Sequence, residues 1–205
     1  LFYTGIAVAM FATVFLGFAR SFFLRPWFPE VPAPTEPVFF VHGVAFTAWL
    51  VLLVVQPALV AAHRTDLHRK VGWLGAGLAV AMVALGTFGA LVAARRPTGF
   101  VEVPVPPLQF LAVPLFDMAL FATLVGLAVA KRRDTQSHKR LMLLASVNLL
   151  AAGIARWPFA VMAAGPPMYF GLTDLFIVAL LAWDFASRGR VHPVTLWGGL
   201  AIVVS

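Results

Sequence analysis

Four titratable side chains stand inside runs that are otherwise apolar: His42, Asp117, Arg156 and Asp174. Charge in such a run is expensive to bury and marks a functional site by default. If neighbouring runs are antiparallel helices rising about 1.5 Å per residue, all four fall in the same half of the molecule. Two acids beside one permanently charged guanidinium leave a carboxylate that can keep its proton, the chemistry of a proton-handling or small-polar-ligand site. A structural ion pair, with the second acid facing water, accounts for the same residues. Trp49 and Gln56 extend this ligand-binding set, because His42, Trp49, Gln56 and His63 recur every seven residues and face one neighbour.

The histidines supply a second chemistry. The 205-residue chain has no cysteine, so disulfides and thiolate sites are excluded, and imidazole and carboxylate are the strong metal or haem ligands that remain. His63 and His68 lie in the loop that precedes the third apolar run, His138 opens the fifth, and His192 lies near the seventh. A b-type haem needs two imidazoles from different helices, which makes His68 with His138, and His63 beside them, the cofactor-binding candidates. Interfacial histidines among snorkelling basic residues are the plain alternative. HExxH, GxSxG and phosphate-cradling glycine loops are all absent, so no catalytic residue and no further metal ligand is named.

The elements that must position these groups are membrane helices. Hydrophobic residues make up 61% of the chain and charged residues 11%, a balance suited to lipid and not to a soluble domain. A hydrocarbon layer about 30 Å thick needs roughly 20 apolar residues, and the runs near 1–20, 38–62, 71–94, 108–130, 141–163 and 169–186 supply them. A seventh, 194–205, reaches only about 18 Å and is expected to continue past Ser205. The reading is therefore all-α: a polytopic transmembrane bundle of about seven helices, one domain over 1–205.

Ten of the basic residues fall in the even gaps between runs and four in the odd gaps, with Arg156 inside a run. The positive-inside bias then places the N-terminus and the even gaps in the cytoplasm. That placement accounts for the formal charge of +7 without nucleic acid, for which no basic patch interleaved with aromatics exists. The expected partners are the bilayer and a larger membrane assembly. Prolines 26, 29, 32, 34 and 37, and again 104, 106 and 107, predict stiff, extended outer gaps. Twelve arginines to three lysines, with heavy use of Ala, Val, Gly and Pro, point to a GC-rich bacterial genome and so to the inner membrane.

Small residues mark where helices approach one another in lipid. Gly72, Ala76, Ala79, Gly86, Ala90 and Ala93 form one such stripe, and Ala145, Ala151, Ala152, Gly153 and Ala155 another. An echo between His68-Arg69-Lys70-Val71 and His138-Lys139-Arg140-Leu141, each leading to an arginine, a proline and an acid in the next run, predicts a repeated hairpin. Such repeats occur in small transporters, the third functional reading.

The strings FFVHGVAFTAW, TDLHRKVGW, PLFDMALF, SHKRLMLLA and IARWPF, in that order and over nearly the whole chain, resemble a family of uncharacterised bacterial multi-pass membrane proteins. The resemblance implies a seven-helix inner-membrane protein and carries over no functional residue. A looser similarity to the transmembrane b-type cytochromes rests on histidines near helix ends. The leading expectation is a non-catalytic accessory subunit or a small-ligand or proton-binding bundle with its polar cluster in the outer half. Electron transfer through b-type haem is the alternative.

Overall fold

The computed structural model describes residues 1–31, 36–100, 103 and 105–205. Its helices are α1 (Phe2–Phe18), α2 (Pro37–Ala61), α3 (Thr65–Arg95), α4 (Pro107–Phe110), α5 (Ala112–Ala130), α6 (Thr135–Val147), α7 (Ala151–Ile154), α8 (Pro166–Arg188) and α9 (Pro193–Val203). No strand occurs among the described residues. Five helical segments are long and apolar enough to cross a membrane: Phe2–Phe23, Pro37–Ala61, Thr65–Arg95, Pro107–Ala130 and Pro166–Arg188. Five such helices fit an integral membrane protein.

Local chemistry sets the helix ends. Pro37, Pro107, Pro166 and Pro193 each open a helix, where the missing N–H is no loss and the fixed φ is already helical. Gly189 closes α8 with a left-handed φ of 67°, a turn that glycine adopts without steric cost. Asp134 caps α6, its carboxylate accepting from the amides of Gln136 at 3.0 Å and Ser137 at 3.2 Å. The Ser137 hydroxyl and amide, with the Gln136 amide, hold the Asp134 carboxyl below the usual carboxylate range.

Three expectations are corrected here. α3 and α6 begin six residues before their apolar runs, so His68, Arg69 and Lys70 are helical and not in a loop. The run 141–163 is not one span. After Val147 the amides of Leu149 and Leu150 bond back three residues, to Ser146 and Val147, before α7 resumes, and the last helical turn ends at Trp157. Pro158 stops the rod because it has no amide and its ring disfavours a helical residue before it; residues Ala160–Ala164 then form a separate 3-10 turn. The proline-rich gaps are not simply extended either. Pro26 lies in a 3-10 turn, Arg25–Trp27, and Pro37 and Pro107 begin helices, while Pro32, Pro34 and Pro104 lie outside the described residues.

α6 is the centre of the bundle, with eight of its thirteen residues buried and α5, α8 and α9 around it. Met10, Trp49, Met82, Phe121, Leu144 and Ile154 meet in the shared core. Both small-residue stripes lie at crossings. Gly86 faces Met118 of α5, and Gly17 of α1 lies so close to the Gly153 carbonyl that a Cβ there would strike backbone. The outer surface stays apolar, with Leu74, Val80 and Phe185 about two-thirds exposed or more, as lipid-facing residues would be.

Candidate functional site: two polar ends of one bundle

The loops at 62–64, 131–134 and 189–192 share one end of the molecule, the basic end, and Glu36 and Arg96 mark the other. The predicted outer cluster belongs to the half near Glu36 and Arg96, and among the described residues no ion pair joins two of its members. Asp117 on α5 and Asp174 on α8 are each half-buried, and neither carboxylate enters an ion pair or hydrogen bond among the described residues. Arg156 is exposed just past α7; it donates to its own Ala152 carbonyl at 2.6 Å and lies 4.9 Å over the Phe18 ring. His42 stacks on Phe46 at 3.9 Å, with Nδ1 buried and without a hydrogen-bond partner. Only His42 and Arg156 of this set are in electrostatic reach of each other.

The stripe on α2 also divides. Trp49 is 3% exposed and its Nε1 donates to Ser146 Oγ of α6 at 3.1 Å, while Gln56 faces α3, beside Gly72. His63 lies beyond α2 with a positive φ of 59° and is exposed. Seven residues make slightly less than two full helical turns, so a heptad stripe drifts by about 20° each repeat and meets successive neighbours instead of one.

The basic end is where polar side chains converge. Arg140 and Asp184, 1% and 0% exposed, form a buried ion pair. Arg140 Nε donates to both carboxylate oxygens of Asp184 at 2.9 and 3.2 Å, its Nη2 donates to Oδ1 as well, and its Nη1 donates to the Gln136 carbonyl and side-chain oxygens at 2.9 and 2.8 Å. Asp184 Oδ2 also accepts from the His192 amide at 3.0 Å and from the Thr195 hydroxyl at 2.6 Å. These bonds fasten the start of α9, whose positive dipole end suits the carboxylate. A pair so completely satisfied has no free valence for chemistry; it holds α6, α8 and α9 in register.

Beside it His68 and His138 stand with ring centres 6.3 Å apart and ring planes at 88°. His138 Nδ1 donates to the Ala128 carbonyl at 2.8 Å. The Gln56 amide nitrogen donates to His68 Nδ1 at 2.5 Å and its oxygen accepts from the Gly72 amide at 3.1 Å. Both imidazoles are thus held through Nδ1, but in opposite senses: His138, donating there, presents a bare Nε2, whereas His68, accepting there, carries its proton on Nε2 when neutral. Among the described residues no third His, Asp or Glu completes a cage for a bare ion.

Sequence reasoning named the two histidines but missed Arg140, Asp184, Thr195 and Gln136. Arg140 reads as one of a basic string, yet Arg140, Leu144 and Val147 share a helical face and all are buried. That spacing was the available signal. The fold and the site define an all-helical protein fit for a membrane, with a polar centre at one end. Compared with protein-family models, with curated proteins and with solved structures, the chain matches none.

Proposed function

We propose that this is a polytopic bacterial inner-membrane protein, its N-terminus and basic end in the cytoplasm, that holds haem iron between His68 and His138 for electron transfer. The observation that carries the reading is the imidazole pair. Two imidazoles that would share one metal have ring centres roughly 6 Å apart, and these two rings, on different helices, stand 6.3 Å apart. Iron in a macrocycle needs only two protein ligands, which suits a pair that no third ligand joins. The bound group would supply a one-electron ferric–ferrous couple; the chain's part would be to orient His138 through the Ala128 carbonyl and His68 through Gln56, whose amide would have to turn its oxygen to Nδ1 for His68 to bare Nε2. Arg69 lies next to His68 in electrostatic reach and can neutralise an acidic substituent on the ring system.

The test is an absorbance spectrum of the full chain purified from a haem-supplied host. A Soret band that disappears in both His68→Ala and His138→Ala and persists in His63→Ala is the expected result. A colourless protein that does not take up added haemin ends this reading.

A second reading keeps the outer half as a small-ligand or proton-binding site, or as the contact of an accessory subunit with a larger assembly. It is favoured by His42, whose Nδ1 is buried without a partner among the described residues, a costly state that a ligand donor or acceptor would relieve. Copurification of a second membrane protein, lost in His42→Phe while the helical fold is kept, would support it.

A further inference from the structure

A cleft of about 340 Å³ opens at the basic end between the start of α1, the start of α6 and the end of α8. Tyr3, Gln136, Lys139, Arg140, Ser187 and Arg188 line it, with Phe2 and Trp183 at its apolar side. Three of the lining residues are cations and none is an acid. Asp184, behind the wall, engages Arg140, so the charges of Lys139 and Arg188 have no carboxylate partner among the described residues. Lys139 Nζ is held 4.4 Å over the Tyr3 ring. The Tyr3 hydroxyl is buried with no hydrogen-bond partner among the described residues, a donor left unmade at a cost that something must offset. Phe2 and Trp183 stack face to face at 4.4 Å, a flat apolar edge of the kind that sits at a membrane–water boundary.

We infer that this cleft takes the phosphate of an anionic lipid headgroup, with Lys139 and Arg188 as its counter-charges, the Tyr3 hydroxyl as a neutral donor, and the lipid's glycerol and upper acyl carbons against Phe2 and Trp183. A phosphate diester matches the site because its oxygens accept from several donors at once while carrying one charge. Lipid is the source that also uses the aromatic edge; free phosphate would use the cations alone. Neither His68 nor His138 lines the cleft, and a haem-free protein can still bind lipid there.

Native mass spectrometry of the full chain, offered phosphatidylglycerol and phosphatidylcholine of identical acyl chains, tests it. Each cation near an anionic headgroup contributes about 1 kcal/mol, so Lys139→Gln with Arg188→Gln should cut phosphatidylglycerol retention by about tenfold or more. Arg132→Gln, a basic residue of the same end outside the cleft, should leave retention unchanged, and Tyr3→Phe should lower it with the melting temperature maintained or raised. If the double variant does not fold, Arg188→Gln alone, exposed at the cleft mouth, carries the comparison with Arg132→Gln. Retention unchanged in the cleft variants, or lowered equally by Arg132→Gln, overturns the inference. So does inorganic phosphate binding that the cleft variants abolish in a protein showing no preference for phosphatidylglycerol, because the site would then be a free-anion site.

Discussion

The two ends of the bundle carry similar side chains and treat them in opposite ways. At the basic end Arg140 and Asp184 are withdrawn from solvent and matched to each other and to Gln136, His192 and Thr195. Toward the other end Arg96 and Glu36 pair at a partly exposed surface, with Arg96 also 4.2 Å over Phe39, and Asp117 and Asp174 stay out of ion pairs. Burial makes the difference in energy. An ion pair in water is worth little, whereas a buried charge that loses its partner is strongly destabilising. The buried pair therefore fixes the packing of α6, α8 and α9, while the charges of the other end contribute little to stability.

The largest effect that could break this contrast is at Asp184. Asp184→Ala leaves the Arg140 guanidinium buried and unpartnered and should cost about 3–5 kcal/mol in a reversible detergent unfolding titration, whereas Asp117→Asn should change stability by about 0.5 kcal/mol or less. Equal costs would erase the distinction between the ends. Thr195→Val keeps the shape and removes one hydrogen bond to a charged group; a loss of roughly 1.5–3 kcal/mol is expected, read by the same titration. Arg96→Gln, at the partly exposed pair, should cost about 1 kcal/mol or less and lose that effect in high salt. A salt-independent loss would show that pair to be more deeply sequestered than its exposure indicates.

The smallest effect sharpens the basic end. Burial, with Arg140 and Arg188 nearby, lowers the His192 pKa from 6.5, and its Nδ1 must stay bare to accept from the Val194 amide at 3.2 Å. The folded chain thus binds this proton less readily than the unfolded chain. Its contribution is complete above pH 6.5 and is lost as pH falls through the lower folded value. Because the ring is only partly buried and water screens its charge, the size is a few tenths of a kcal/mol. Amide exchange over Val194 to Leu196 should quicken on acidification, and His192→Asn, which caps without titrating, should remove the pH response.

Spans were legible because length and apolarity set them: α2, α5 and α8 fall within a few residues of the runs read from composition. The α6–α7 rod was not, because its first six residues are polar and its turn at 148–150 leaves no mark in hydropathy. That turn also bears on the outer cluster. Depth along a helix follows from counting residues, but each residue on a three-residue turn adds about 20° of rotation over an α-helical one, so the facing of Arg156 could not be counted from His138. Asp184 escaped notice for a related reason: it ends an apolar run, where a carboxylate is expected in water, and only the return of α9 over it creates the pocket that encloses it.

Asp184 follows Arg140 by 44 residues in the chain. A ribosome adding about 5–20 residues each second makes the acid roughly 2–9 s after the base. Burying the guanidinium before its partner exists would leave a charge unpaired at a cost of several kcal/mol, so α6 is expected to take its buried place only once the end of α8 has been made.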